Sequence, residues 1–321
     1  MTRGVDNRSL LPNSSLPKQL FTLFMLLAVF LLFSCREKEE ANKVSLDKHQ
    51  EIILKPQLPA ITYAYLPEYS QPESFQRHHQ LVEYLAKQTG LPIQQVFPEN
   101  FADHISMFGQ GKIDISFSNP FFYVRLANRF GAKAMARIIA EDERAEIRGL
   151  IIARKDNKSI QSIDDCRGKS WLAVDPSSAG GYLFPLGHFA DHGLTLRDFK
   201  EVVFAGGSQE DVIQGVYSGL HDFGSIRENS LKRVENSINI NQIKVVAHSI
   251  WYPGWVYSYN PRLSQDVVDK IQIAMLKLDY KNNPQHRAIL DAAKFIGFTP
   301  STDEDFDRVR DLSKKVGLGL E

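Results

Sequence analysis

The stretch Trp171 to Pro185, WLAVDPSSAGGYLFP, constrains this chain most. It opens as an apolar strand, Trp171 to Val174, and breaks at Asp175-Pro176. It then runs through small residues, Ser177 to Gly181, into Tyr182-Leu183-Phe184. A strand, a small-residue turn and a helix start leave backbone N–H groups unpaired at a helix N-terminus, where the helix dipole adds positive charge. Such a turn suits an anion and predicts one wall of a ligand cleft. The rest of the chain then has to supply the opposite wall.

The same grammar recurs on both sides of it. Ile61 to Leu66 reads as a strand stopped by Pro67, and Pro72 to Gly90 as an amphipathic helix with Phe75, Val82 and Leu85 on one face. Ile93 to Phe97 is a second strand, and Asn100 caps a short helix. Ile113 to Phe117 is a third. It ends in Ser118-Asn119-Pro120, a cap residue followed by proline at the first helical position. Further strands are expected at Ala134–Ile139, Arg148–Ala153, Glu201–Phe204, Asp222–Ser225 and Lys244–Ser249. Helices are expected over 180–192 and 209–218, from Arg227, and in three closing segments, 264–280, 284–295 and 302–315. Strands alternating with helices through short turns predict an α/β chain with parallel βαβ units, whose ligands sit beyond the carboxyl ends of the strands.

At 321 residues the chain is long enough for two domains. Formal net charge is zero and no basic stripe is visible, so nothing argues for nucleic acid. Arg3, Arg8 and Lys18 precede an apolar run, Leu20 to Phe33, that is short for a membrane span and is followed by Cys35 and REKEE. The junction Leu32-Phe33-Ser34-Cys35 resembles a bacterial lipoprotein signal, which implies lipidation at Cys35. The long polar segment ahead of the run points to a start codon further downstream. Residues 36–58 read as a polar tether. The other cysteine, Cys166, has no evident disulfide partner and reads as a small buried residue.

Chemistry is conspicuously unsupported. Gly168-Lys169-Ser170 lacks the first glycine of a P-loop, since residue 163 is Ile, and it precedes a strand. His188 and His192 are one helical turn apart, but Phe189 stands where a zinc hydrolase needs Glu. No Gly-x-Ser-x-Gly surrounds Ser177 or Ser178. Binding without catalysis, metal or cofactor is what remains. Trp251, Tyr252, Trp255 and Tyr257 invite a cation–π cage. Large aromatics mostly supply packing, which favours a hinge strand between two lobes. Asp222 and Arg227 are expected to flank a strand end at the cleft. Arg227 has two readings, a bidentate grip on an oxyanion or an ion pair with Glu228.

The chain resembles the phosphate/phosphite/phosphonate family of periplasmic solute-binding proteins. The segments that carry the likeness are IDISFSNPFFYVRLA, RGLIIARKDN, SIDDCRGKSWLAVDPSSAGGYLFP, VVFAGGSQEDVIQGVYSGLHDFG, WYPGWVY and AILDAAKFIGFTP. The resemblance implies a two-lobed, type II binding-protein fold, each lobe a mainly parallel sheet flanked by helices. Lobe I is expected over residues 59–150 and 248–321, and lobe II over 151–247. It implies a monomer that closes on a small oxyanion and delivers it to an ABC permease. The competing readings are the same body serving a membrane sensor, the same body binding a different small anionic solute, and an enzyme on the same fold such as a pyrimidine-synthesis protein. The family's Ser-Thr-Ser-Gly turn reads Ser178-Ala179-Gly180-Gly181 here. Its histidine falls on Ser208, and its tyrosine positions fall on Phe101 and Ser118. Each missing hydroxyl removes a hydrogen bond to charge worth about 1.5–3 kcal/mol, so Arg227, Gln209 or Asn119 has to take over. The added glycine is expected to let a bulkier ligand reach the backbone. The expected site is Ser118 and Asn119 on one wall, and Ser177, Ser178, Ala179, Gly180, Gly181, Ser208, Gln209, Asp222 and Arg227 on the other. Tyr65, Tyr123 and Tyr182 are expected to line the cleft.

Overall fold

A computed structural model describes residues 59–320. The expected signal, Cys35 and the tether lie outside the described residues. Strand β1 (Ile61–Tyr65) ends ahead of Pro67, and α1 (Gln71–Thr89) follows. The Ser70 hydroxyl caps α1 by accepting the Glu73 N–H, and Gly90 closes it at φ 70°. Its buried residues are Ser74, His78, Leu81, Val82, Tyr84 and Leu85. Phe75 is not among them; it is 49% exposed and stacked on His79. The expected inward Phe75 is therefore corrected, because position 75 falls about 60° off the 78–82–85 face at 3.6 residues per turn.

Next come β2 (Ile93–Val96), α2 (Phe101–Gly109), β3 (Ile115–Ser118), α3 (Pro120–Phe130) and β4 (Lys133–Ile139). Asn100 and Asn119 cap α2 and α3 with their side-chain oxygens. The chain then passes through the short β5 (Glu146–Ile147) into β6 (Gly149–Arg154) and β7 (Ser170–Ala173). A turn of π-helix (Ala179–Leu183) leads into α4 (Phe184–Asp191), and β8 (Glu201–Phe204), α5 (Gln209–Tyr217), β9 (Phe223–Arg227) and β10 (Ile243–His248) complete the second sheet. The return runs through β11 (Tyr252–Pro253) and β12 (Val256–Tyr259), then α6 (Gln265–Leu276), α7 (Pro284–Ala293), β13 (Gly297–Pro300) and α8 (Asp307–Lys315).

Two sheets result. The first has the order β13-β4-β12-β3-β1-β2 and the second β10-β6-β9-β7-β8. Parallel βαβ pairs occupy one side of each, β2-β1-β3 and β9-β7-β8. The connections that leave and re-enter each sheet add antiparallel pairs, so both sheets are mixed. Between the two sheets the chain crosses as β5 and β11, paired antiparallel with Tyr252 opposite Ile147. Side chains of the second sheet alternate with period two. Trp171, Ala173 and Phe223 pack on one face with Phe189, Phe199 and Cys166. Leu172, Val174 and Ile226 pack on the other with Val212, Ile213 and Val216. The C-terminal α8 reaches both lobes. Val309 belongs to the core of the first sheet, whereas Leu312 lies against Gly187 of α4 and Lys315 pairs with Asp191.

No α-helix opens at Arg227. Strand β9 runs on to that residue, Asn229 turns in the left-handed region at φ 69°, and only a short 3₁₀ segment (Ser230–Arg233) follows. Asparagine tolerates that conformation better than most residues, which breaks the expected helix start.

Candidate functional site

The two capped turns meet. The Asn119 side chain, fixed by accepting the Phe122 N–H at 2.9 Å, donates its amide N–H to the Ser177 carbonyl at 3.2 Å. Arg125, two turns along α3, donates to the Ser177 hydroxyl. The Asp175 carboxylate accepts the Ser177 N–H at 2.7 Å, and burial raises its pKa. Ser178 turns its hydroxyl back onto the Gly181 N–H at 3.1 Å. Ala179, Leu183 and Phe184 join the core cluster of the first sheet. This seam brings together Asn119, Ser177, Ser178, Ala179, Gly180 and Gly181, and the adjoining Ser118 keeps a buried hydroxyl with no partner among the described residues.

The glycines act differently from expectation. A Cβ on Gly180 would stand 3.1 Å from the Arg227 Cα, and one on Gly181 would stand 2.3 Å from a Val174 methyl. They let the turn pack on its own lobe, and leave no added room for a ligand.

The carboxyl ends of β1 and β9 carry an ion pair across the lobes. Arg227 donates from Nη1 to Glu68 Oε2 at 3.1 Å. Gln209 accepts the Arg227 backbone N–H at 2.9 Å and donates to Glu68 Oε1 at 3.5 Å. The Glu68 side chain is 2% exposed and that of Arg227 17%. Burial opposes the Arg227 charge, yet Glu68, with Tyr69 and Tyr65 beside it, holds its pKa above the ordinary arginine value. Arg227 therefore pairs across the lobes, and Glu228 pairs instead with Arg148.

Next to this pair lies a chamber of about 570 Å³ lined by Tyr65, Tyr69, Arg77, Arg227, Arg233 and Trp255 among others. Tyr65 stacks on Trp255 with ring centroids 5.5 Å apart. The Arg77 and Arg233 guanidiniums lie over the Tyr69 ring at 3.9 and 4.3 Å, and Arg227 lies over Trp255 at 5.1 Å. Trp251 also lines the chamber, under Arg144 and Arg148 at 4.5 Å each. Tyr252 and Tyr257 pack, stacked on Phe184 and Phe117. The aromatic segment thus divides between packing and cavity lining. A second hollow, of about 550 Å³, borders the seam at Arg125, Arg129 and Asp175–Ser177.

Three expected residues stand elsewhere. Asp222 precedes β9, at its amino end, where its carboxylate accepts from the Ser170 N–H and hydroxyl at 2.8 and 2.9 Å. Five residues of strand place it about 16 Å from Arg227. Tyr123 faces away from the seam, donates to Asp303 and packs on Phe306. Tyr182 packs inside the second lobe on Trp171 and Phe204. Ser208 caps α5 by accepting the Asp211 N–H, and its neighbour Gly207 abuts Phe101. Glu68, Tyr69, Arg77, Arg125, Ser230 and Arg233 were not anticipated. Among the described residues, no group of three His, Cys, Asp or Glu is arranged to hold a metal.

A family model described as "ABC transporter, phosphonate, periplasmic substrate-binding protein" matches residues 63–306. The chain belongs to this family. Members of the phosphonate-binding family are substrate-binding components of ABC transporters. One relative, the phosphate-import protein PhnD of Mycolicibacterium smegmatis, is 25% identical over 291 residues, covering 84% of this chain and 90% of that protein. A binding-protein component of an ABC phosphonate transporter from Pseudomonas aeruginosa superposes with a TM-score of 0.70 at 22% identity, over 79% of this chain and 85% of that one. PhnD1 of Prochlorococcus marinus, solved with methylphosphonate, gives 0.70 at 17% identity, over 80% and 98%. These structures share the two-lobed periplasmic binding-protein fold with this chain. No helix among the described residues is long and apolar enough to cross a membrane.

Proposed function

We propose that this protein is the lipid-anchored, extracytoplasmic binding component of an ABC importer, taking a phosphorus oxyanion between its lobes. The relative named for phosphate import and the fold neighbour holding methylphosphonate support the ligand class. One observation carries the site. Arg227 closes β9 at its carboxyl end, lines the chamber and bonds Glu68 just beyond β1, while Gln209 at the start of α5 accepts its backbone N–H. A guanidinium offers five donors in a fixed fork suited to such oxygens, and its contact with Glu68 uses one nitrogen. The sequence around Cys35 supports the anchor. The departures at Ser178–Gly181 and Ser208 from the family's hydroxyl and imidazole donors shift reliance onto Arg227.

Calorimetric titration with methylphosphonate, phosphite and phosphate tests the reading. Arg227→Ala is expected to weaken the best of them by well over tenfold, and Ser178→Ala by less. Unchanged affinity in Arg227→Ala removes that residue from the site. For the anchor, fatty-acid labelling of expressing cells is expected to mark the wild type and to be lost in Cys35→Ala.

A further inference from the structure

Among the buried donors without a partner in the described residues, Ser118 Oγ and Arg137 Nε lie elsewhere, whereas three belong to residues that line the 570 Å³ chamber. They are Trp255 Nε1, Ser230 Oγ and Arg233 Nη1. Trp255 is 3% exposed and Ser230 1%. A buried donor left unpaired costs about 1–3 kcal/mol, so three on one cavity call for a shared acceptor. Among the described residues no group bonds these three atoms, although Glu210 pairs with the other Arg233 nitrogen, Nη2. The carboxylates that line the chamber, Glu141, Asp142, Glu146 and Glu228, are either exposed at its rim or, for Glu228, engaged by Arg148.

The walls also speak to what the acceptor is attached to. Tyr65, Phe117, Trp255 and Phe295 present apolar surface to a space within the range of small-molecule sites, roughly 300–1,000 Å³. A tetrahedral oxyanion alone would satisfy the donors and leave those rings facing water. Resting on the reading of the protein as an oxyanion binder, we propose that its solute is an organic phosphonate or phosphate ester with a flat, apolar substituent. Trp255, Ser230 and Arg233 hold its oxygens, and the aromatic wall covers the substituent. The Ser177–Gly181 turn is then a closure contact between lobes and makes no direct contact with the solute.

The test is titration of the full chain with phenylphosphonate, methylphosphonate and inorganic phosphate, read by calorimetry and by tryptophan fluorescence. Trp251 and Trp255 line the chamber and Trp171 is buried in the second lobe, so a chamber ligand perturbs two of the three indoles. Phenylphosphonate is expected to bind at least tenfold more tightly than methylphosphonate and to change the fluorescence. Trp255→Phe keeps a ring but removes the N–H, and is expected to weaken phenylphosphonate about tenfold, as is Ser230→Ala. Circular dichroism and melting temperature establish that both variants fold. Equal affinities for the three anions, untouched by Trp255→Phe but lost in Arg227→Ala, would overturn the chamber and leave the oxyanion reading standing. No binding of any of the three would overturn both.

Discussion

Glu68→Gln is the most informative perturbation of the fold itself. The Glu68 carboxylate is 2% exposed, it comes from the loop after β1, and its partner Arg227 closes β9 in the other lobe. Replacing it with a neutral amide leaves the guanidinium enclosed without its counter-charge. Breaking a buried pair from one side costs about 3–5 kcal/mol. The partners lie in different lobes, so the molecule relieves the cost by parting them and hydrating Arg227, with no need to unfold. The penalty should therefore appear in the closure equilibrium. At about 1.4 kcal/mol per factor of ten, it lowers the closed-to-open ratio by two orders of magnitude or more. Small-angle scattering is the assay. The variant is expected to show a larger radius of gyration than the wild type, with a urea midpoint shifted by less than the full cost. An unchanged scattering profile would refute the reasoning, since it would mean that the pair contributes nothing to holding the lobes together.

Other outcomes follow from packing and titration. His78 and His104 are buried, and burial pushes both well below the usual 6.5, to about 3, while they bond Tyr63 and Ser116. The unfolded chain takes up these protons first, so stability is full above pH 6.5 and falls as pH drops toward 3. The loss approaches 1.4 kcal/mol per pH unit for each histidine, roughly, and urea melts of wild type and His104→Asn should show a shallower acid slope in the variant. Gly181→Ala drives a methyl into Val174 and should cost about 1–3 kcal/mol in thermal melts. An unaltered melting temperature would show that the turn has slack. Burial raises the Cys166 thiol to about 12, so iodoacetamide should label it only after denaturation, as mass spectrometry would record.

What the sequence disclosed was local. Asn119-Pro120 and Asn100 announced helix starts because a cap bonds a backbone three residues away, and both are observed. The Trp171 strand and its turn were legible for the same reason. Glu68 was not, because its partner is 159 residues distant and only the folded topology brings the two strand ends together. Asp222 lies at the amino end of its strand, opposite to the end that Arg227 closes. The strand begins one residue later than expected and runs two residues further, to Arg227. Composition alone does not separate an aromatic that packs from one that lines a cavity. Tyr257 and Trp255 are two residues apart on the same segment, yet Tyr257 stacks on Phe117 in the core, and Trp255 faces the chamber.

Native mass spectrometry of the protein isolated without denaturation bears most directly on the claim that an acidic phosphorus solute lies between the lobes. A bound species whose mass and fragments include a phosphorus oxyanion is expected on the wild type and is expected to be absent from Arg227→Ala. A bound solute with no phosphorus, or one retained equally by Arg227→Ala, would contradict it.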